Sequence, residues 1–190
     1  MRVLGLSGSP RLGGNSDTLL HEAIKGAKDK GAETHIIYLS DLTIGHCPAC
    51  DDCFYTGECR YRDDMDEVIS QMEKADRIIV SSPIHFMGVS SQLKVMIDRC
   101  QSLWARKYKL KASPLGDERE RKGMFMATGG MKNGEVFEGA RATMRSFFAV
   151  LNIKYSYELL VSGVDNLGAI QSQSDTLKKA YELGQMLADK

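Results

Sequence analysis

Four of the five cysteines in this 190-residue chain fall in one short run, Cys47-Pro48-Ala49-Cys50-Asp51-Asp52-Cys53 and then Cys59, a C-x2-C-x2-C-x5-C pattern. Three thiolates at that spacing can wrap one face of an iron–sulfur cubane, and a fourth a few residues on can close it; bacterial ferredoxins use a similar run but give the fourth cysteine to a second cluster. Tetrahedral zinc satisfies the ligand count. Structural zinc usually draws its ligands from two separated pairs, so the compact run favours iron–sulfur, with reduced or redox-active thiols as the remaining alternative. Asp51, Asp52 and Glu58 would make the local field more negative and lower the potential of a bound cluster, and Arg60 and Arg62 partly offset them. The fifth cysteine, Cys100, stands at helical spacing from Met96 and reads as core.

A second chemical feature lies near the amino terminus. Ser7-Gly8-Ser9-Pro10-Arg11-Leu12-Gly13-Gly14-Asn15-Ser16 combines small residues, hydroxyls and one guanidinium. Small residues let backbone N–H groups approach an anion, the helix opening near Asn15 or Ser16 points its positive end at the same spot, and Arg11 can supply a fixed charge. The glycine spacing is not the dinucleotide fingerprint, and no Gly-Lys-Ser/Thr follows to make a P-loop. A monophosphate cradle is the reading; the alternative is a polar turn with an N-cap at Ser16.

The elements that must position these features alternate. Short apolar runs at Val3–Leu6, His35–Leu39, Ile78–Val80, Gly123–Ala127 and Lys154–Val161 predict five strands. Between and after them come amphipathic helices marked by Leu19 to Ala27, Met65 to Ala75, Leu93 to Trp104, Val136 to Leu151 and Leu177 to Leu187. Gly31 ends the first helix, and Asp63, Asp64 and Asp66 suit the start of the second. Ile78-Ile79-Val80 is apolar throughout, as a strand covered on both faces should be. Five β–α units in a row predict an α/β fold: a three-layer, doubly wound, five-stranded parallel sheet in the flavodoxin-like order 2-1-3-4-5, forming one domain over residues 1–190. Ligands in such folds bind at the carboxyl ends of the strands, beside the switch point between strands 1 and 3. Arg106–Lys122, with seven basic and three acidic residues, reads as an irregular basic insertion at about 105–122, and the cysteine loop spans 45–62.

With 43% apolar residues and 26% charged, the chain is ordinary globular material. Its 25 basic and 25 acidic side chains cancel, so no bulk field draws it to nucleic acid or an anionic membrane. No apolar run approaches the roughly 20 residues a membrane span needs. No basic stretch followed by a long apolar region opens the chain, so a cytoplasmic location is expected.

The Ser-Gly-Ser-Pro-Arg…Asn-Ser loop resembles the phosphate loop of flavodoxin-like FMN reductases. That resemblance implies that Ser9, Arg11, Asn15 and Ser16, with Ser7 beside them, hold the phosphate of FMN. The stretch Ser81 to Ser90 and the following Leu93-Lys94…Ile97-Asp98-Arg99 resemble the same family's second flavin loop and its helix. They imply that Pro83, Ile84, His85, Phe86, Met87 and Gly88 line the isoalloxazine edge. Many relatives carry Tyr where His85 stands, and His85 either bonds the flavin or substrate or faces solvent. Thr128, Gly129 and Gly130 match the third flavin loop, where paired glycines let backbone pass close to a flat ligand.

The cysteine run, placed between strand 2 and the next helix, is similar to that of the iron–sulfur flavoproteins of anaerobic archaea and bacteria, which carry FMN and one [4Fe–4S] cluster per subunit. The resemblance implies an FMN-dependent oxidoreductase with Cys47, Cys50, Cys53 and Cys59 as cluster ligands. Electrons would pass from NAD(P)H or ferredoxin to a quinone, a small oxidant or a protein acceptor, with the chemistry at flavin N5 and no catalytic side chain. Two alternatives stay open: a non-catalytic flavodoxin-like electron carrier, and an NAD(P)H:FMN reductase without the cluster. The cysteine loop is expected at the flavin's edge of the sheet but on the phosphate side, so transfer within one subunit would be long. A homodimer or homotetramer is therefore expected to bring one subunit's cluster near another's flavin, with Trp104 and the basic stretch after it at the interface.

Overall fold

Ile78 and Val80 pack into one hydrophobic core while Ile79 between them packs into another, which is why three apolar residues run in succession there. The computed structural model describes residues 1–189. Strands β1 (Arg2–Ser7), β2 (Glu33–Tyr38), β3 (Arg77–Pro83), β4 (Arg121–Gly129) and β5 (Ile153–Ser162) form one sheet in the order β2-β1-β3-β4-β5. Every neighbouring pair is parallel. Parallel neighbours need crossovers, supplied by α1 (Asn15–Asp29), α2 (Cys53–Thr56), α3 (Met65–Lys74), α4 (Ser91–Arg99), α5 (Gln101–Tyr108) and α6 (Glu138–Val150), and α7 (Ser174–Ala188) follows the last strand. Helices α1 and α7 cover one face with Leu19, Leu20, Ile24, Ala180 and Leu187; α3, α4, α5 and α6 cover the other with Met65, Met72, Leu93, Leu103 and Phe148. The flavodoxin-like order expected from the alternating pattern is the order present.

Three local features differ from the sequence expectation. β2 begins at Glu33, ahead of His35, because Glu33 N–H bonds the carbonyl of Met1 and extends the ladder. The single helix expected from Leu93 to Trp104 is two helices, α4 and α5, divided at Cys100. The irregular basic insertion expected at 105–122 is shorter than that: it begins inside α5 and ends inside β4, leaving 109–120 without helix or strand. Arg106 pairs with Glu73 at 2.7 Å, Arg119 with Asp76 at 3.1 Å and Arg121 with Asp117 at 2.8 Å. Arg121 is buried and donates to the carbonyls of Ala75 and Glu73. Most of the acceptors that anchor this stretch sit on α3 and its C-terminal end, so local composition could not reveal them.

Helices α1 and α7 cross in contact at two glycines. A Cβ added at Gly26 would overlap the carbonyl of Tyr181, and one added at Gly184 would overlap the carbonyl of Ala23. Gly184→Ala should therefore lower stability by about 1–3 kcal/mol or more through overpacking, whereas Gly134→Ala, with open space around its Cβ, should stay within about 0.5 kcal/mol. Denaturant titration of the two variants checks this; equal midpoints would contradict the packing argument.

Candidate functional site

The loop after β1 is organised by a carboxylate. Asp17, in the first turn of α1 and 1% exposed, accepts the Ser7 hydroxyl at 3.1 Å and the Gly13 N–H at 2.8 Å. Ser9 turns inward and closes the loop on itself, donating to the Arg11 carbonyl at 2.7 Å and accepting from the Arg11 N–H at 3.2 Å. Gly14, the N-cap of α1, supplies no side-chain cap. Among the described residues the N–H groups of Asn15 and Ser16 find no acceptor, and Arg11, exposed at the rim, forms no ion pair. Uncapped N–H groups at a helix N-terminus beside an unpaired guanidinium suit a phosphate. The Asn15 side chain bonds elsewhere: it donates to the Asn166 carbonyl and accepts from the Ile170 N–H, tying the loop after β5 to the cradle.

The loops after β3 and β4 face this cradle. Ile84 N–H bonds the Thr128 carbonyl, and His85 and Gly88 exchange both backbone hydrogen bonds, so Phe86 and Met87 form a two-residue hairpin tip. Both tip residues have left-handed backbone, with φ of 49° and 63°, and Phe86 is fully exposed. Two consecutive non-glycine residues in that region carry strain, which tends to persist where a loop presents side chains to a ligand or partner. The loop is pinned by the Ala140 N–H bonding the Met87 carbonyl, and Gly139 permits the approach, since a Cβ there would lie 2.6 Å from that oxygen. Ser9, Arg11, Asn15, Ser16, Pro83, Ile84, His85, Thr128 and Gly130 line a single cleft together with Asp165 and Leu167. Gly129 and the tip residues lie just outside that lining. The sequence reading missed Asp17, Asp165 and Leu167; only the Asp17 position, four residues beyond Gly13 on the first helical turn, carried a signal.

The four-cysteine segment forms a second cleft with its own lining: Cys47, Cys50, Cys53 and Cys59 on one side, Asp98, Arg99, Gln101 and Ser102 on the other. The segment leaves the sheet after β2, yet the cleft its cysteines line lies against the junction of α4 and α5. This lies about 13 Å along α4 from the loop after β3, at 1.5 Å rise per residue. Left-handed backbone at Ala49 and Asp51 turns the chain between cysteines. One helical turn, α2, docks on α5 through Phe54 and Trp104, whose ring centroids are 5.6 Å apart. Arg106 Nε donates to the Gly57 carbonyl at 2.9 Å. Arg99, 2% exposed, donates to the Gly45 carbonyl and both oxygens of Asp63, at 2.9, 2.5 and 3.1 Å. Burial works against the Asp63 charge, but the hydrogen bonds from Arg99, Gly45 and Met65 outweigh it and hold its carboxyl below the usual range. The acidic field expected around the cysteines is met locally, with Arg60 on Asp52 and Arg62 on Glu58.

Among the described residues no three His, Cys, Asp or Glu side chains are gathered closely enough to hold a metal ion. The donor set nevertheless suits a cluster. Four thiols line one cleft, and burial pushes up the thiol pKa of Cys53, followed by the nearby Cys47 and Cys50. Two buried polar atoms on residues lining the same cleft, Arg99 Nε and Ser102 Oγ, have no partner among the described residues. Cys100 is buried, its thiol bonding the Met96 carbonyl and pushed up to about 12 by desolvation, which fits core rather than chemistry.

Residues 1–156 match the family described as NADPH-dependent FMN reductase. An iron–sulfur flavoprotein of Methanocaldococcus jannaschii is 36% identical over 186 residues, covering 96% of this chain and 87% of that protein. A second one from the same organism is 44% identical over 103 residues, covering 54% of this chain and 53% of its own length; in that relative the match spans about half the protein. Among solved structures, an NAD(P)H:quinone oxidoreductase from Methanothermobacter marburgensis superposes with a TM-score of 0.70 at 17% identity, covering 100% of this chain and 98% of that one. At that identity the likeness is one of fold.

The Asp63–Arg99 pair yields a test of the clamp. Because the folded-state pKa of Asp63 lies below its unfolded value, its contribution is complete above the unfolded carboxylate pKa of about 4 and fades as pH falls through the folded value. Asp63→Asn should cost about 1–3 kcal/mol near neutrality, and the gap from the native chain should close on acidification. Urea titrations across that range check it; a gap that persists undiminished in acid would contradict it.

Proposed function

The chain belongs to the NADPH-dependent FMN reductase family and, within it, is related to the iron–sulfur flavoproteins; from that premise we propose that it is an FMN-dependent oxidoreductase. In this reading it passes electrons from NAD(P)H or ferredoxin to a quinone, a small oxidant or a protein acceptor through FMN and a [4Fe–4S] cluster. The observation that carries the reading is the single cleft where the uncapped N-terminus of α1, the unpaired Arg11 and the loops after β3 and β4 converge. When bound, FMN supplies hydride and one-electron transfer at its ring and the cluster supplies one-electron transfer, so the protein's task is binding, orientation and electrostatics.

Each part of the chain then has an assigned task. Arg11 and the N–H groups of Asn15 and Ser16 bind the phosphate, with Ser9 and Asp17 holding their loop in shape. Pro83 to Gly88 and Thr128 to Gly130 bracket the ring, and the strained Phe86–Met87 tip shields it from water or meets the electron partner. Cys47, Cys50, Cys53 and Cys59 hold the cluster, which requires the 47–53 turn to close around it. The distance along α4 between the two clefts favours an assembly of two or four subunits that brings one cysteine cleft to another subunit's flavin cleft. A cytoplasmic location belongs to the same reading; among the described residues no helix is long and apolar enough to cross a membrane.

A second reading is favoured by the spread of the thiols: an NAD(P)H:FMN reductase in which the cysteines remain thiols. The nicotinamide step is tested by anaerobic stopped-flow mixing with NADH or NADPH. Rapid bleaching of the flavin supports the reductase, and its absence with both would leave a carrier fed by a protein donor. The phosphate assignment predicts that Arg11→Ala weakens FMN binding about tenfold, since a charge-assisted contact is lost, equivalent to about 1.4 kcal/mol. Fluorescence titration of flavin-stripped protein reads the change; an unaltered affinity would remove Arg11 from the site.

A further inference from the structure

A buried guanidinium has five N–H donors in a rigid fork, and a buried hydroxyl has one. Arg99 places four hydrogen bonds from its two terminal nitrogens, two to Asp63 and one each to the carbonyls of Gly45 and Tyr61. Its Nε–H has no acceptor, and neither does the Ser102 hydroxyl one turn further along, although both residues are 2% exposed. A buried donor left without an acceptor loses the hydration it had in the unfolded chain and gains nothing in return. Two of them, both on residues lining the cleft that holds all four cysteines, call for a common acceptor. Ser102 and Cys59 also line a second cleft together, so the two residues share both.

Resting on the reading of the four cysteines as cluster ligands, we infer that Arg99 Nε–H and Ser102 Oγ–H donate hydrogen bonds to the sulfur atoms of the loaded site, Cys59 foremost, and set its reduction potential. Donors to the sulfurs and a buried positive charge stabilise the more negative, reduced form, so both raise the potential. The surface acids would act the other way, but two of them, Asp52 and Glu58, are paired by Arg60 and Arg62. Arg99 thus has two roles: its fork clamps the loop, and its remaining donor faces the sulfurs. These are positioning and tuning residues, since neither replaces a ligand.

The test uses Ser102→Ala and Ser102→Thr in the full chain with the cluster in place, because replacing Arg99 would also remove the loop clamp. A redox titration followed by the EPR signal of the reduced cluster should move the Ser102→Ala midpoint to lower potential. At a fixed potential the reduced-to-oxidised ratio should fall about threefold to tenfold, tenfold being 59 mV for one electron. Ser102→Thr, which keeps the hydroxyl, should restore the native midpoint. In resonance Raman spectra, iron–sulfur stretching bands that shift in D2O should lose part of that shift in Ser102→Ala only. A Ser102→Ala midpoint and D2O shift equal to the native values would overturn the inference while leaving the cluster in place. A native protein that never yields the EPR signal of a reduced cluster would overturn the underlying cluster reading, and the inference with it.

Discussion

A guanidinium held away from water must find acceptors, and the ones Arg99 finds all belong to the segment that carries the cysteines. Asp63, Gly45 and Tyr61 flank the loop on both sides, so one side chain at the C-terminal end of α4 closes a segment that has little regular structure of its own. The second anchor is similar: Arg106 on α5 bonds Gly57 and pairs with Glu73. Between them Phe54 packs at a tilt against Trp104. The cysteine cleft therefore depends less on the loop's own sequence than on the helix pair that follows β3. That pair is fixed in turn by the parallel sheet beneath it.

The same helix pair links the two candidate sites. α4 starts beside the hairpin of Phe86 and Met87, where Ser90 caps it by accepting the Leu93 N–H, and it ends at Arg99. The hairpin after β3 and the Arg99 clamp on the cysteine loop thus sit at opposite ends of one rigid rod. A rod separates the sites as firmly as it connects them, and that separation is the ground for proposing electron transfer between subunits.

The sheet order was legible in the sequence because β–α alternation and apolar periodicity are local patterns, and the parallel crossover rules leave few arrangements of them. The loop after β1 stood out as part of a cleft for a similar reason: small residues, hydroxyls and one arginine are contiguous in the chain. What escaped were long-range partnerships between polar groups. The basic composition of 105–122 suggested an irregular basic insertion and nothing of its anchors: Arg106 and Arg119 pair with Glu73 and Asp76, which precede them by more than thirty residues. Asn15 looked like a phosphate donor from its position, yet its amide serves the loop after β5. Asp165 and Leu167 came to the cleft on that loop without any motif to announce them.

The central claim is that one chain holds both FMN and an iron–sulfur cluster, the second at Cys47, Cys50, Cys53 and Cys59. The most direct measurement is the visible spectrum of anaerobically purified protein with iron, acid-labile sulfide and flavin counted on the same sample. The account predicts flavin bands over a broad iron–sulfur absorption, with about four irons and four sulfides for each FMN, the content of one [4Fe–4S] cluster. A pure flavin spectrum with no sulfide after anaerobic handling would contradict it and leave a cluster-free FMN reductase.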